Sequence, residues 1–214
     1  MPTLQAQAGT GALKTADGSI VNLRTGNQSD LIVSELHAPY YEQVDRGNVF
    51  TLSLVTAAAI TAYVGAAAGT PMLGVFNPTG SGKNLVLLQA NFADVVAASA
   101  AGTATFGIYY GATAAITQAT VTNPTSALTQ LASGSVATGF RNVALTGSTA
   151  ATNVLPIGSY YWATAAGAIQ TPNAAVEPKG TILIPPGSYM ALGGSAALTS
   201  ATWIGSLTWE EVLA

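Results

Sequence analysis

Stretches in which apolar and polar residues alternate recur from Leu31 onward, and Gly, Pro, Asn and Ser separate them. In residues 202–209 the large side chains share one face and the hydroxyl side chains the other: Trp203, Leu207 and Trp209 against Thr202, Ser206 and Thr208. A period of two is that of a half-buried β-strand. The same reasoning predicts further strands at 31–36, 49–55, 72–76, 84–92, 103–110, 116–122, 181–184 and 189–192.

Details of faces and turns follow from the same pattern. Within 84–92, strict alternation predicts one apolar face made of Val86, Leu88, Ala90 and Phe92. The strand at 181–184 ends at two prolines and a glycine, which break ladder pairing and favour a turn. Helix signals are weak, and they predict one or two turns at 126–132.

Segment 77–84 reads NPTGSGKN and resembles the end of a phosphate-binding loop. Asn77 stands where that loop needs glycine, and Asn84 stands where it needs serine or threonine. The segment also lies between two predicted strands instead of before a helix. We therefore predict a hairpin loop, with Lys83 in solvent.

Short strands with regular turn signals predict an all-β fold, an antiparallel jelly-roll-like sandwich with an extended N-terminal arm. Residues 1–46 are predicted as the arm and a lead-in strand, and residues 47–214 as the sandwich domain. Residues 57–70 and 146–168 are rich in Ala, Thr and Gly and poor in large side chains. We expect them to form loops or edge strands in contact with other subunits.

Charge is unusually sparse: 7% of residues are charged, against roughly a quarter in an average globular protein. A chain that replaces Lys and Glu with small neutral residues is expected to cover much of its surface in an assembly. The net charge of −3 with six basic residues argues against direct nucleic-acid binding. The chain has no cysteine, so disulfides and thiol chemistry are excluded.

Membrane insertion and secretion are not expected. The uncharged stretch 49–69 is long enough to span a bilayer, but its Thr, Ser and Tyr residues and lack of flanking Lys/Arg clusters suit strands better. The first 11 residues lack the charged and apolar regions of a secretory signal.

Catalytic chemistry has little support in the sequence, and we predict that the protein is not an enzyme and holds no cofactor. His37 is the only histidine, so a zinc site or a Ser-His-Asp mechanism would depend on that residue alone. Beside Pro39 and two tyrosines, His37 is predicted to pack or to form hydrogen bonds. Glu210 and Glu211 are adjacent on a predicted strand and point to opposite faces, which argues against a paired-carboxylate site; both are expected to be solvated.

The candidate partner contacts are Arg24, His37, Tyr40, Tyr41 and Arg46. Either arginine could form a bidentate pair with a carboxylate on another chain. A solvated turn at 42–46 is the alternative that the sequence leaves open. Aromatic pairs such as Tyr160 and Tyr161 could form a sugar-binding platform, but in neighbouring pairs one ring usually packs inward, which favours core or interface packing.

Four stretches resemble virion proteins of tailed bacteriophages, in particular β-sandwich proteins that decorate or cement the head. They are GSIVNLRTGNQSDLIVSELHAPYYEQVDRGNVFT at 18–51, FNPTGSGKNLVLL at 76–88, ILIPPGSYMAL at 182–192 and WIGSLTWEEV at 203–212. The resemblance implies a capsid-surface protein, made in the host cytoplasm, that binds the major capsid protein or other virion subunits as a homotrimer or homodimer. The alternative is a trimeric fibre or receptor-binding protein that recognises a host glycan.

Overall fold

The computed structural model of the protein describes residues 39–59, 62–63, 69–96, 98–113, 116, 121–145, 147, 149–162, 173–198 and 200–214. The chain divides into two units, Met1–Tyr41 and Glu42–Ala214. Residues 1–38 of the predicted arm and lead-in region lie outside the described residues, and they include the predicted strand 31–36, Arg24 and His37. Residues 41–45 of the same region form a short helix. Most of the predicted strand 116–122 also lies outside the described residues. The predicted boundary between residues 46 and 47 stays a prediction.

The described residues form one short helix and twelve strands. Their bounds are α1 Tyr41–Asp45, β1 Val49–Ser53, β2 Ala58–Ala59, β3 Leu73–Asn77, β4 Lys83–Val96, β5 Gly102–Ala112, β6 Thr125–Ser126, β7 Thr138–Arg141, β8 Asn153–Trp162, β9 Asn173–Val176, β10 Leu183–Ile184, β11 Ser188–Gly194 and β12 Thr202–Leu213.

These strands form two antiparallel sheets. The first has the order β10-β4-β12-β1-β6, with β9 also paired to β4 and β2 also paired to β12. The second has the order β7-β3-β11-β5-β8. Eight strands remain when β9 and β10 are counted as one strand and the short β2, β6 and β7 are left out. If these eight are numbered along the chain, the first sheet has the order first-eighth-third-sixth and the second sheet has the order second-seventh-fourth-fifth. That is the strand order of a jelly roll, so the predicted fold class is confirmed.

The connection between β5 and β8 explains the two additional edge strands. It crosses to the opposite edge of the sandwich, where β6 pairs with β1 and β7 pairs with β3. Each sheet is thereby extended by one short strand on the same side.

The core lies between the two sheets and is aromatic at its centre. The rings of Phe92 and Phe106 stack with centroids 4.9 Å apart, and Trp203 contacts both rings at 5.4 and 4.6 Å. Trp203, Leu207 and Trp209 are all fully buried, as their alternation in β12 predicts. Burial of such aromatic and aliphatic side chains is the main stabilising contribution to a sandwich.

Strand β4 corrects the predicted alternation. Leu85 and Leu87 face the core, instead of Val86 and Leu88, whereas Ala90 and Phe92 face it as predicted. The pairing with β12 shows the cause: Trp209 lies opposite Leu87 and Thr208 lies opposite Gln89, so Leu88 is an additional residue in β4. A β-bulge of this kind shifts the inward-facing positions by one residue.

A second apolar cluster covers the outer face of the second sheet. Tyr109, Phe140 and Tyr189 project from the sheet on the side opposite the core, and Tyr63 and Leu145 pack over them from connecting segments. Tyr63 is fully buried, and its backbone N–H donates to the Gly194 carbonyl at 2.7 Å. Tyr63, in the predicted partner segment 57–70, thus packs on its own sheet, and contact of the rest of that segment with other subunits stays a prediction. Within 146–168, residues 153–162 form the edge strand β8, which agrees with the prediction of loops or edge strands there, and contact with other subunits stays a prediction.

Two local predictions are wrong, at least in part. The turn at 77–84 is present, because β3 ends at Asn77, β4 begins at Lys83, and Gly80 and Gly82 adopt φ angles of 82° and 70°. It is not a hairpin, because β3 belongs to the second sheet and β4 to the first, so the turn connects the two sheets. The helix at 126–132 is wrong: Ser126 ends β6, and its carbonyl accepts one bond from the Gln130 N–H before the chain turns away with a φ of 60° at Gln130. Among the described residues, no helix is long and apolar enough to cross a membrane.

Candidate interaction surfaces

The outer face of the first sheet has a centre of small uncharged polar side chains. Because cross-strand partners share a face, β1, β12 and β4 together place six such residues there: Thr51, Ser53, Ser206, Thr208, Gln89 and Asn91. Thr51 Oγ1 lies 3.1 Å from Thr208 Oγ1, and the Asn91 amide donates to Ser206 Oγ at 3.2 Å. We call this surface the neutral face.

Apolar side chains flank the neutral face at both ends. Val95 and Ile204 lie beyond Asn91 and Ser206, and Leu183 lies on β10 at the other end. These three side chains are 51%, 40% and 46% exposed. The face carries one acidic residue, Glu210, and burial raises the pKa of its carboxyl above the ordinary value.

Exposed charges are confined to two places in the described part of the chain. Glu42, Asp45 and Arg46 lie in or just after α1, and Glu177 and Lys179 lie between β9 and β10. The other described charged residues are half-buried or buried: Lys83, Asp94, Arg141, Glu210 and Glu211. Both sheets therefore present largely uncharged surfaces.

Three of the predicted partner contacts lie in the described residues, on or beside α1. Tyr40 and Tyr41 are exposed, which agrees with a contact surface. Arg46 Nε donates to Glu42 Oε1 at 3.1 Å within the same turn of chain, and both side chains are about half exposed or more. An exposed i,i+4 pair of this kind contributes about 0.3–0.5 kcal/mol, so it leaves Arg46 able to change partners. The bidentate contact with another chain and the solvated turn both stay predictions.

In β8 the two neighbouring tyrosines point in opposite directions, as predicted, with one ring packed inward. Tyr160 packs against Phe92 and Phe106 with centroids 5.8 and 5.9 Å away. Tyr161 points outward and is 56% exposed on this edge strand. Tyr161 is thus an aromatic ring available on the surface.

A buried carboxylate joins the end of the first sheet to the segment before β7. Glu211 was expected in solvent, but it is buried, and it accepts bonds from Ser135 Oγ at 2.6 Å and from the Val136 N–H at 3.1 Å. Lys83 Nζ lies 3.1 Å from Glu211 Oε2, so the expected solvation of Lys83 is also wrong. The sequence separation of these groups concealed their contact. The contacts with Ser135 and Val136 anchor the carboxylate, so the cluster ties the end of β12 to the segment before β7.

Asn77 anchors the adjacent turn between β3 and β4. Its side-chain amide is buried and donates to the carbonyls of Lys83 and Ile184 at 2.7 and 2.9 Å. One side chain therefore connects the end of β3, the start of β4 and the end of β10. This is the structural use of the segment that resembles a phosphate loop.

Arg141, at the end of β7, was not singled out by the sequence. Its Nε atom is buried without a hydrogen-bond acceptor among the described residues, and burial lowers the pKa of the guanidinium. Among all the described residues there is no cluster of three or more His, Cys, Asp or Glu side chains that could hold a metal ion.

Comparisons of this chain with protein-family models, with curated proteins and with solved structures give no match. The arguments for function therefore rest on the fold and on the surfaces described above.

Proposed function

We propose that this protein is a structural virion protein that decorates and cements a capsid by binding assembled shell subunits. The observation that carries the proposal is the confinement of exposed charge to α1 and the β9–β10 turn among the described residues. Interface centres are depleted in Lys, Glu and Asp. A subunit with large uncharged faces is therefore suited to contact neighbours on more than one side.

The jelly-roll sandwich supports this proposal as a scaffold. Its core is closed by Trp203, Trp209 and Phe106, so the fold needs no partner to bury these large aromatic residues. The uncharged faces are left for association. The resemblance of four sequence stretches to head decoration proteins points to the same role.

The proposed mechanism is stabilisation by mass action. A protein that binds the assembled shell and not the free subunits lowers the free energy of the shell by RT ln(1 + [L]/Kd) at each site. Many weak sites on one particle act together, so modest affinity at each site is sufficient. No catalytic group is needed for this activity.

The test compares particles with and without the protein. Purified protein is added to particles that lack it, attachment is measured by co-sedimentation, and shell survival is measured during heating. We expect saturable attachment and a higher temperature of shell disruption. Saturable attachment without any shift in that temperature would reduce the role to decoration, and absence of attachment would contradict the proposal.

The alternative is a trimeric fibre or receptor-binding protein that recognises a host glycan, and exposed Tyr161 is the observation that favours it. An aromatic ring on a surface can stack on the apolar face of a sugar. Glycan-array binding that Tyr161→Ala abolishes, together with adsorption of the purified protein to host cells, would favour this function over cementing. The remaining possibility is hydrolysis that depends on His37. If His37→Ala leaves shell stabilisation unchanged, that possibility is excluded.

A further inference from the structure

The two sheets differ in what covers their outer faces. The second sheet is covered by Tyr63 and Leu145 from its own chain, which bury Tyr189 and Phe140. The first sheet keeps Val95, Leu183 and Ile204 substantially exposed. On the second sheet the exposed apolar side chains, Val154 and Tyr161, lie on the edge strand β8. The first sheet has no such cover among the described residues, which makes its outer face the one suited to a partner.

We propose that the neutral face and its apolar flanks form the contact surface between two copies of this chain, packed sheet against sheet. Strands about 4.8 Å apart that rise about 3.4 Å per residue give the whole outer face of the first sheet, with all seven strands included, roughly 700 Å². A standard stable interface buries about 800 Å² on each partner. The outer face is therefore close to the size that a stable dimer needs when the contact covers the whole sheet.

The polar groups of the neutral face are partly satisfied within it. Thr51 bonds Thr208, and Asn91 bonds Ser206, at 3.1 and 3.2 Å. Polar groups that already have a hydrogen-bond partner lose less free energy when water is removed than polar groups without one. Covering this face with a second copy thus has a low desolvation cost, and the exposed Val95, Ile204 and Leu183 supply the apolar burial.

Charge also favours a second copy as the occupant. A strongly charged partner would need opposite charges, and the neutral face offers only Glu210 among the described residues. A surface that is uncharged at its centre is complementary to itself, as a two-fold symmetric contact requires. This inference names the surface for the homodimer that the resemblance to virion proteins implies, and in that respect it rests on the proposed function. It is tested on isolated protein, independently of particle binding.

The experiment introduces a positive charge at the centre of the face. Ser206→Arg and Gln89→Lys are compared with Ser133→Arg, at an exposed loop position away from the face. Ser206→Arg also removes the acceptor of the Asn91 bond, whereas Gln89→Lys leaves that bond in place, so the two variants perturb the fold differently. Folding of each variant is checked by far-ultraviolet circular dichroism and thermal unfolding.

Sedimentation equilibrium on the full chain gives the result. We expect the unaltered protein and Ser133→Arg to self-associate equally, and both face variants to raise the dissociation constant by at least about a hundredfold, because like charges would meet in the contact. An unaltered protein that is monomeric at its highest soluble concentration overturns the inference. So does an assembly that a folded Gln89→Lys variant retains unchanged. A dimer that dissociates as expected but does not bind particles would instead contradict the proposed function.

Discussion

Lys83 and Glu211 form an ion pair between β4 and β12, with Nζ and Oε2 3.1 Å apart and the glutamate side chain fully buried. Glu211 also accepts bonds from Ser135 and from the Val136 backbone. The carboxylate therefore joins both sides of one end of the sandwich, whereas the lysine is 30% exposed and contributes one contact.

Removing the carboxylate should cost more than removing the lysine. We expect Glu211→Ala to lower the free energy of unfolding by about 3 kcal/mol, because a partly buried lysine and two further donors lose their acceptor. Lys83→Ala should cost about 1 kcal/mol, because the carboxylate keeps the bonds from Ser135 and Val136. Urea denaturation measures both, and equal losses would contradict the asymmetry.

Two tyrosine hydroxyls in the second apolar cluster, on the outer face of the second sheet, form another pair of unequal members. The Tyr63 hydroxyl donates to the Tyr189 hydroxyl at 3.3 Å, which donates to the Thr149 carbonyl at 2.9 Å. Tyr189→Phe leaves the buried Tyr63 hydroxyl and the Thr149 carbonyl without this bond, at a cost of about 1–3 kcal/mol. Tyr63→Phe removes only the end of this series of hydrogen bonds and should cost about 1 kcal/mol. Thermal unfolding of the two variants should rank them in this order.

Alkaline pH should destabilise the protein through the same cluster. Burial, and for Tyr63 the bond with Tyr189, raises the pKa of Tyr63 above its ordinary value of 10.0, and burial also raises the pKa of Tyr109 and Tyr189. The native state thus keeps protons that the unfolded chain loses above pH 10, so the contribution of these phenols to stability is constant below that pH and falls above it. Each such phenol contributes about 1.4 kcal/mol per pH unit. Tyr63→Phe should reduce this slope in urea denaturation at about pH 9 to about pH 11, and a flat profile would contradict the prediction.

Gly74 is required by its contact with Phe140. A Cβ atom at position 74 would overlap the Phe140 ring across the β3–β7 pair. Gly74→Ala should cost about 1–3 kcal/mol through overpacking, and Phe140→Leu in the same chain should recover part of the loss. Gly102→Ala is the matched control, because its Cβ would lie 3.8 Å from the Leu198 side chain. If the two alanine variants unfold at the same temperature, the packing argument fails.

The predicted arm gives a test of attachment. Deleting residues 2–30 should leave the sandwich folded, because the core between the sheets is made by residues from Phe50 onward. We expect the shortened protein to keep its β-sheet circular dichroism and to bind particles more weakly. Unchanged binding in the co-sedimentation assay would show that the arm has no part in attachment.

The fold class could be predicted because strand periodicity is local. In β12 the alternation of large and small side chains is enough to place Leu207 and Trp209 in the core, and both are buried. The bulge at Leu88 could not be predicted, because it depends on pairing with β12, which is distant in sequence. Burial of Tyr63 was missed for the same reason, since its Ala- and Thr-rich neighbours gave no apolar pattern.

The surfaces were predictable only in part. Sparse charge indicated an assembly, and the sequence identified Tyr40, Tyr41 and Arg46 as exposed candidates. It could not assemble the neutral face, because Thr51, Thr208 and Gln89 come from three strands that meet only in the folded sheet. Glu211 was placed in solvent because its acceptor role depends on Ser135, 76 residues earlier.

The pairing of β1 with β12 has a consequence for biosynthesis. Thr51 of β1 lies opposite Thr208 of β12, and β12, the central strand of the first sheet, is the last of the twelve described strands to be made. During translation β1 and β4 must wait, unpaired on that side, until residues 202–213 have left the ribosome. The nascent chain therefore exposes Phe50, Leu52 and Phe92 for most of its synthesis, and chaperone capture in this interval is expected to govern the yield of folded protein.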